Sequence, residues 1–191
     1  RFAAPAAVFL GLGLMHLAVN GLMIARSGYE AELRQRQRDS AARGGKMDVE
    51  NKRTVIGLAL GAGATRDDLL KLREYPTLRE LSLAGADIVD QDLRFLAASP
   101  YPIPYLGAID LSDTALTDRG LNELFTSNFA PLSVSVANTK CTADGIGRLV
   151  EQRGFYKLDI GGLSLTDAGL ASLAGRSNGQ VQYLVLSGNP I

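Results

Sequence analysis

The sequence predicts an α/β solenoid, in which parallel strands alternate with helices, preceded by a single membrane-spanning helix. Three observations carry this expectation. The run from Phe2 to Ala25 contains no Lys, Arg, Asp or Glu. From Leu58 onward an aliphatic-x-aliphatic pair recurs six times. Behind each pair, further apolar residues return at fixed offsets, as they do when one strand–turn–helix unit is stacked repeatedly.

The N-terminal segment comes first. Twenty-four helical residues extend roughly 36 Å at about 1.5 Å each, enough to cross a hydrocarbon core of about 30 Å. A secretory signal is the competing reading, but its apolar region is usually shorter. Arg1 rather than Met opens the chain, which implies a processed precursor or a longer N-terminus. Ala3, Ala7 and Gly11 recur at every fourth position and form a smooth ridge on which another membrane helix can pack. His16, the one histidine of the chain, falls within this apolar run, where an ionisable group facing lipid is costly. It is expected as a neutral imidazole bonded to a neighbouring subunit or to backbone. The alternative reading is a cofactor-bearing membrane subunit in which His16 ligates a haem or chlorophyll.

The overall formal charge is zero, yet residues 1–46 carry seven basic against three acidic residues and residues 47–191 thirteen against seventeen. Arg26, Arg34, Arg36, Arg38, Arg43 and Lys46 follow the apolar run, with only Arg1 before it. By the positive-inside rule this puts the C-terminal part on the cytoplasmic side, or its organellar equivalent, of a bacterial or organellar inner membrane. Tyr29 to Arg43 is rich in Glu, Ala, Leu, Arg and Gln and is expected to form a polar helix that Gly44-Gly45 ends. The expected organisation is thus a membrane helix over 1–27, a basic juxtamembrane helix and linker over 28–53, and a repeat domain over 54–191. The mildly acidic remainder gives no electrostatic case for nucleic acid. One cysteine and no Asn-x-Ser/Thr sequon leave nothing that marks a disulfide-stapled, glycosylated exterior.

The repeats are the most specific signal. Leu58/Leu60, Leu81/Leu83, Ile109/Leu111, Val134/Val136, Leu158/Ile160 and Leu184/Leu186 share one template, their first members 23, 28, 25, 24 and 26 residues apart. Seven residues on lie Thr65, Ile88, Leu116, Cys141, Leu165 and Ile191; twelve on lie Leu70, Leu93, Leu121, Ile146 and Leu170; fifteen on lie Leu96, Leu124, Leu149 and Leu173, with Arg73 breaking that column in the first unit. The best-formed units read LSDTALTDRGLNEL (Leu111 to Leu124) and GGLSLTDAGLASL (Gly161 to Leu173). These resemble the cysteine-containing, ribonuclease-inhibitor-like class of leucine-rich repeats, whose second half carries a Thr-Asp-x-Gly-Leu motif. The resemblance covers Thr54 to Ile191 and implies a short horseshoe that works as a protein-interaction surface. Thr117-Asp118 and Thr166-Asp167 supply side-chain oxygens able to cap the following helix, Asp67 and Asp90 hold the same capping column, and Gly120 and Gly169 allow close packing. The sequence departs from the family at its asparagine ladder, where Gly63, Ala86, Thr114, Thr139, Leu163 and Asn189 stand; Thr114 and Thr139 are expected to substitute in part.

Little catalytic chemistry can be assembled from these residues. VIGLALGAGATRDDLL (Val55 to Leu70) imitates a dinucleotide-binding turn, but Arg66 replaces the third glycine and the stretch sits in repeat register. Outside the apolar run there is no histidine, and Cys141 occupies an aliphatic column, so no nucleophilic triad or zinc site is expected. Asp110, Asp113 and Asp159 belong to neighbouring strands and are read as surface carboxylates. The expectation is a non-enzymatic, cofactor-free scaffold, an accessory or assembly subunit of a larger membrane complex whose partners are other protein subunits and the lipid bilayer. Partner binding is assigned to the residues that alternate with the core pairs: Glu80, Asp110, Lys157, Asp159 and Tyr183, with Arg79, Tyr156 and Gln182 at the strand entrances. Ile191 falls in mid-repeat without a polar cap, so a covering partner or further residues are expected at that edge.

Overall fold

A computed structural model of the chain describes residues 34–39, 41–42, 44–50, 54–97, 103–125, 129–176 and 180–191. The expected membrane helix over 1–27, with Ala3, Ala7, Gly11 and His16, lies outside the described residues. Among those described, no helix is long and apolar enough to cross a membrane. The chain divides into two compact units at Asp39. In the first, residues 34–39 are helical, with Gln35 Nε2 donating to Asp39 Oδ1 across one turn at 2.8 Å.

The second unit is an α/β solenoid of repeated strand–helix units. Its seven strands lie in sequence order in one sheet: β1 (Lys46–Glu50), β2 (Thr54–Ala59), β3 (Glu80–Ser82), β4 (Ala108–Asp110), β5 (Ser133–Ser135), β6 (Phe155–Asp159) and β7 (Val181–Val185). From β2 to β7 every pairing is parallel, and Leu58, Leu81, Ile109, Val134, Leu158 and Leu184 stand opposite one another in register. The template read from the sequence is therefore the register of the sheet. β1 departs from it. It falls within the linker expected over 28–53, yet it pairs antiparallel with β2 through Lys46↔Ala59 and Met47↔Leu58, with a register shift at Asp48/Val49.

The helices, α1 (Arg66–Leu70), α2 (Asp90–Ala97), α3 (Asp118–Phe125), α4 (Ala143–Gln152) and α5 (Asp167–Arg176), follow successive strands from β2 to β6. No unit can bury its apolar residues alone, so the core runs continuously through the stack. Leu81, Ile109, Val134 and Leu158 and their partners Leu83, Leu111, Val136 and Ile160 are all buried. Leu93, Leu121, Ile146, Leu96, Leu124 and Leu149 cover them from the helices. Phe125, Phe129 and Phe155 form an aromatic cluster, tilted between Phe125 and Phe129 and edge-on between Phe125 and Phe155, and Arg153 closes it with its guanidinium 5.5 Å from the Phe125 ring and Nη1 bonded to the Phe129 carbonyl at 2.5 Å.

The first unit corrects the column reading. Leu69 and Leu72 are fully buried while Leu70 is 45% exposed. This unit is the shortest, and after five residues α1 tightens into a 3-10 turn over Lys71–Glu74. Its helix also starts eight residues after the register position instead of nine, so the buried columns move back by one to Leu69 and Leu72, and Arg73 instead stacks 4.9 Å from the Phe95 ring of the next unit.

After β3 to β7 the chain turns through a left-handed residue four positions beyond the register residue: Gly85, Asp113, Asn138, Gly162 and Gly188 have φ between 55° and 76°. Asp and Asn are among the few side-chain-bearing residues that adopt this conformation readily. Asn138 also ties the turns together, donating from Nδ2 to Asp113 Oδ1 at 3.0 Å.

The capping column behaves differently from the expectation. Threonine, not the column aspartate, caps α4 and α5: Thr142 Oγ1 accepts from Gly145 N–H and Thr166 Oγ1 from Gly169 N–H, both at 3.3 Å, while at α2 Asp92 accepts from Val89 N–H at 3.0 Å. In α1 the cap is Thr65 with Asp68 closing the capping box, and Asp67 takes no part in it. The aspartates reach across to the next unit. Asp90 accepts from Thr117 N–H at 3.0 Å and from its Oγ1 at 2.6 Å, and Asp118 accepts likewise from Thr142 at 2.7 and 2.6 Å. A methyl group at Gly120 would stand 2.6 Å from Asp90 Cγ, and one at Gly145 would overlap the Asp118 carboxylate. Glycine in the motif is thus the space through which the preceding aspartate arrives. The ladder stops at Ala143, which holds the aspartate column in the fourth unit; the methyl of Ala143 leaves 3.3 Å to a Cβ at Gly169.

Thr114 and Thr139 do not replace the asparagine ladder. Each hydroxyl donates to a carbonyl three residues back in its own unit, Leu111 and Val136, at 2.7 Å. A threonine side chain is too short to span to the adjacent turn. Asn189 does span, donating to the Ile160 and Leu186 carbonyls and accepting from Leu165 N–H at 2.9 Å.

Candidate protein-binding groove

The strands present their second set of side chains on the face opposite the helices. Because successive residues alternate across a strand, burial of the register residue and the one two positions on turns the residues between them outward. Ser82, Asp110, Ser135 and Asp159 occupy that column; the residues just before the register position are Gly57, Glu80, Ala108, Ser133, Lys157 and Tyr183. Half are Gly, Ala or Ser, so the floor lies low between the larger side chains and a groove of about 490 Å³ opens over β2 to β6.

Of the residues assigned to partner binding, Glu80, Asp110, Lys157 and Asp159 line this groove. Arg79, Tyr156 and Gln182 meet at the strand entrances around an adjoining hollow of about 610 Å³, which Glu80 shares. Tyr183, opposite Lys157 on the neighbouring strand, joins the two groups through Tyr156. The two tyrosine rings meet edge to face, centroids 5.1 Å apart at 64°, while remaining 51% and 57% exposed. Sequence reasoning missed two exposed apolar side chains. Leu132 and Tyr105 are 61% and 69% exposed, and Leu132 borders the hollow beside Tyr156. Leu132 stands two residues before the register position Val134, a column that also holds Ile56, Arg79, Gly107, Tyr156 and Gln182, so the pattern does not single it out.

The carboxylates on the floor are braced. Asp110 accepts from the Ser112 backbone at 3.0 Å and hydroxyl at 2.6 Å, with Ser82 Oγ at 3.3 Å. Asp159 accepts from Gly161 N–H at 3.0 Å. These bonds hold each strand end to its turn and fix two acceptors at the groove wall. Cys141 is 3% exposed, and burial pushes its thiol up to about 11, so thiolate chemistry is suppressed there. Among the described residues no group of His, Cys, Asp and Glu has the arrangement of a metal site. What the groove offers is shape, two fixed acceptors and an aromatic lip.

The chain matches no protein-family model and no curated protein. Among solved structures it is similar to the C-terminal domain of tropomodulin from Caenorhabditis elegans, at 14% identity over 63% of this chain and 81% of that one, with a TM-score of 0.47.

Proposed function

We propose that the protein is a membrane-anchored, non-catalytic interaction scaffold, an accessory subunit that grips another protein of a membrane complex in its strand-face groove. The observation that carries this reading is the Tyr156–Tyr183 pair, two large rings held half-exposed at the edge of a floor of small residues. Monomeric surfaces rarely leave such rings bare together, and tyrosine is among the residues that dominate binding energy at interfaces. The small floor lets a partner's backbone approach, and Asp110 and Asp159 present acceptors already oriented. The Thr-Asp-x-Gly-Leu units fit the cysteine-containing class of leucine-rich repeats, and the uncharged run Phe2–Ala25 supplies the anchor, with the basic residues after it holding the repeats on the cytoplasmic or equivalent side.

The test has two parts. Full-length protein is purified in mild detergent with its complex, the bound subunit is identified by mass spectrometry, and its affinity is measured against wild type and Tyr156→Ala/Tyr183→Ala. The double variant weakens binding at least tenfold, about 1.4 kcal/mol, while its thermal melt is retained. An unchanged affinity in the folded variant moves binding to another surface. Removal of residues 1–27 releases the repeats to the soluble fraction, and a full-length chain already soluble without detergent overturns the anchor.

A further inference from the structure

The two hollows of the strand face form one trough. Glu80, Ala108 and Ser133 line both, so the space at the strand entrances runs on over β4 and β5 without a break. Its floor is made of small residues on the solvent side of those strands, Ala108, Ser133 and Ser135, all half-buried. Its walls are the larger side chains of the strands on either side, Glu80 on β3 and Tyr156 and Lys157 on β6. Three strand spacings of about 4.8 Å separate β3 from β6, so the walls stand roughly 14 Å apart. An α-helix with its side chains is about 10–12 Å across, so the trough holds one chain segment and not two.

The trough changes character along its length. At the strand entrances Leu132, 61% exposed, stands beside Tyr156 and makes the floor apolar. Three residues further along the strands, roughly 10 Å at about 3.3 Å per residue, the surface turns acidic. Ser135 lies there between Asp110 on β4 and Asp159 on β6, directly paired with each. The bonds that brace these two carboxylates come from Ser82, Ser112 and Gly161, all uncharged, so no cation offsets either of them. Counted over the groove, four carboxylates (Glu80, Asp110, Asp113, Asp159) stand against two ammonium groups (Lys46, Lys157). Among the described residues Glu80, Lys157 and Asp159 form no ion pair with one another or with a third group.

We propose that the trough takes a single basic segment of the partner protein, laid along β4 and β5. An apolar residue of that segment sits over Leu132, and about 10 Å further on a lysine or arginine sits over Ser135, between Asp110 and Asp159. The inference rests on the groove being the partner site and adds the chemistry that fills it. An acidic segment would set like charges against both aspartates. An apolar one would bury two carboxylates without a counter-ion, a desolvation cost that nothing repays. A basic side chain meets acceptors that are already oriented, and it rejects both competitors by charge.

The experiment uses the full chain and the subunit that co-purifies with it in mild detergent. Asp110→Asn/Asp159→Asn removes both charges yet keeps an oxygen to accept from the Ser112 and Gly161 N–H groups, so the thermal melt is retained. Affinity for the subunit falls at least tenfold and its dependence on salt flattens. Ala108→Trp, which fills the floor from its solvent side, blocks binding. In a third arm a benzophenone is attached to a cysteine placed at Ser133 and photo-cross-linked; Cys141 is buried and takes no label. The captured peptide belongs to the subunit and contains a lysine or arginine. If Ala108→Trp blocks binding but the amide variant binds like wild type, or the captured peptide has no basic residue, the groove reading stands and this proposal is overturned. If Ala108→Trp binds like wild type, the groove is not the partner site and both readings fail. A captured peptide from a second copy or from elsewhere in this chain also overturns the proposal.

Discussion

Gly120→Ala should destabilise the repeat unit, against the usual effect of that change within a helix. Replacing a helical glycine by alanine ordinarily stabilises by up to about 1 kcal/mol. Here the new methyl would stand 2.6 Å from Asp90 Cγ and 2.9 Å from its Cβ. Either the carboxylate withdraws from Thr117, giving up bonds of 3.0 and 2.6 Å, or α3 shifts away from α2. Hydrogen bonds to an ionised acceptor contribute about 1.5–3 kcal/mol each, and forced overpacking costs about 1–3 kcal/mol. The chain takes the cheaper route, so a cost of about 2–3 kcal/mol set against the helical gain leaves a net loss of roughly 1–2 kcal/mol. For a unit of this size that lowers the midpoint by roughly 2–8 °C. Thermal melts followed by circular dichroism measure it. Gly169→Ala is the internal control, because its neighbour is Ala143 at 3.3 Å; that variant should be neutral or slightly stabilised. In an Asp90→Ala background, Gly120→Ala should lose its penalty, since the obstructing carboxylate is gone. A Gly120→Ala protein that melts at or above wild type refutes the account of the motif.

Three further outcomes follow from other parts of the molecule. Arg94 and Arg119 hydrogen bonds hold Glu123 well below its usual 4.5, at about 2. Its folded value is the lower one, so its contribution is present above pH 4.5 and is lost as pH falls toward 2; Glu123→Gln should lower stability near neutrality, flatten the profile in that window and converge on wild type as pH falls toward 2. The Cys141 thiol should resist a maleimide at pH 8 in the native protein and react once the chain is unfolded in urea; rapid native labelling would contradict its burial. Truncating Leu111 or Ile160 to Ala should cost about 2–5 kcal/mol in denaturant unfolding, and tolerance at both would mean that the strand faces are inverted.

The parts of the fold legible in the sequence are those that repeat. Six aliphatic pairs gave the register because a one-residue slip would turn every buried residue to solvent, a penalty each unit enforces independently. β1 has no such signal: KMDVE occurs once, its charges match a basic linker, and its pairing depends on meeting the edge of β2. The ladder of aspartates was half visible. Thr-Asp beside a helix start reads as a local cap, and only the neighbouring unit, with its glycine at the point of approach, reveals that the carboxylate points across the stack. Leu70 was misplaced because the column assumed a constant strand-to-helix spacing, and in the first unit the helix starts one residue earlier. At the groove, Tyr156 and Tyr183 were legible from alternation alone. Leu132 and Tyr105 were not, since an apolar residue outside the core columns carries no mark of exposure.

The substitution of alanine for aspartate at position 143 divides the solenoid into blocks of unequal cohesion. In a linear array each unit is coupled only to its neighbours, so the weakest junction decides where fluctuations start. Between the fourth and fifth units the carboxylate link is missing, and the exposed ion pair of Arg176 with Asp144 stands in its place. Asp90–Thr117 and Asp118–Thr142 tie the second, third and fourth units together, so local opening would begin outside that block and leave it intact. Tyr156 and Tyr183 both lie on the looser side. A partner that seizes them quiets two units rather than straining six, and the protein can adjust its grip without loosening the rest of its core.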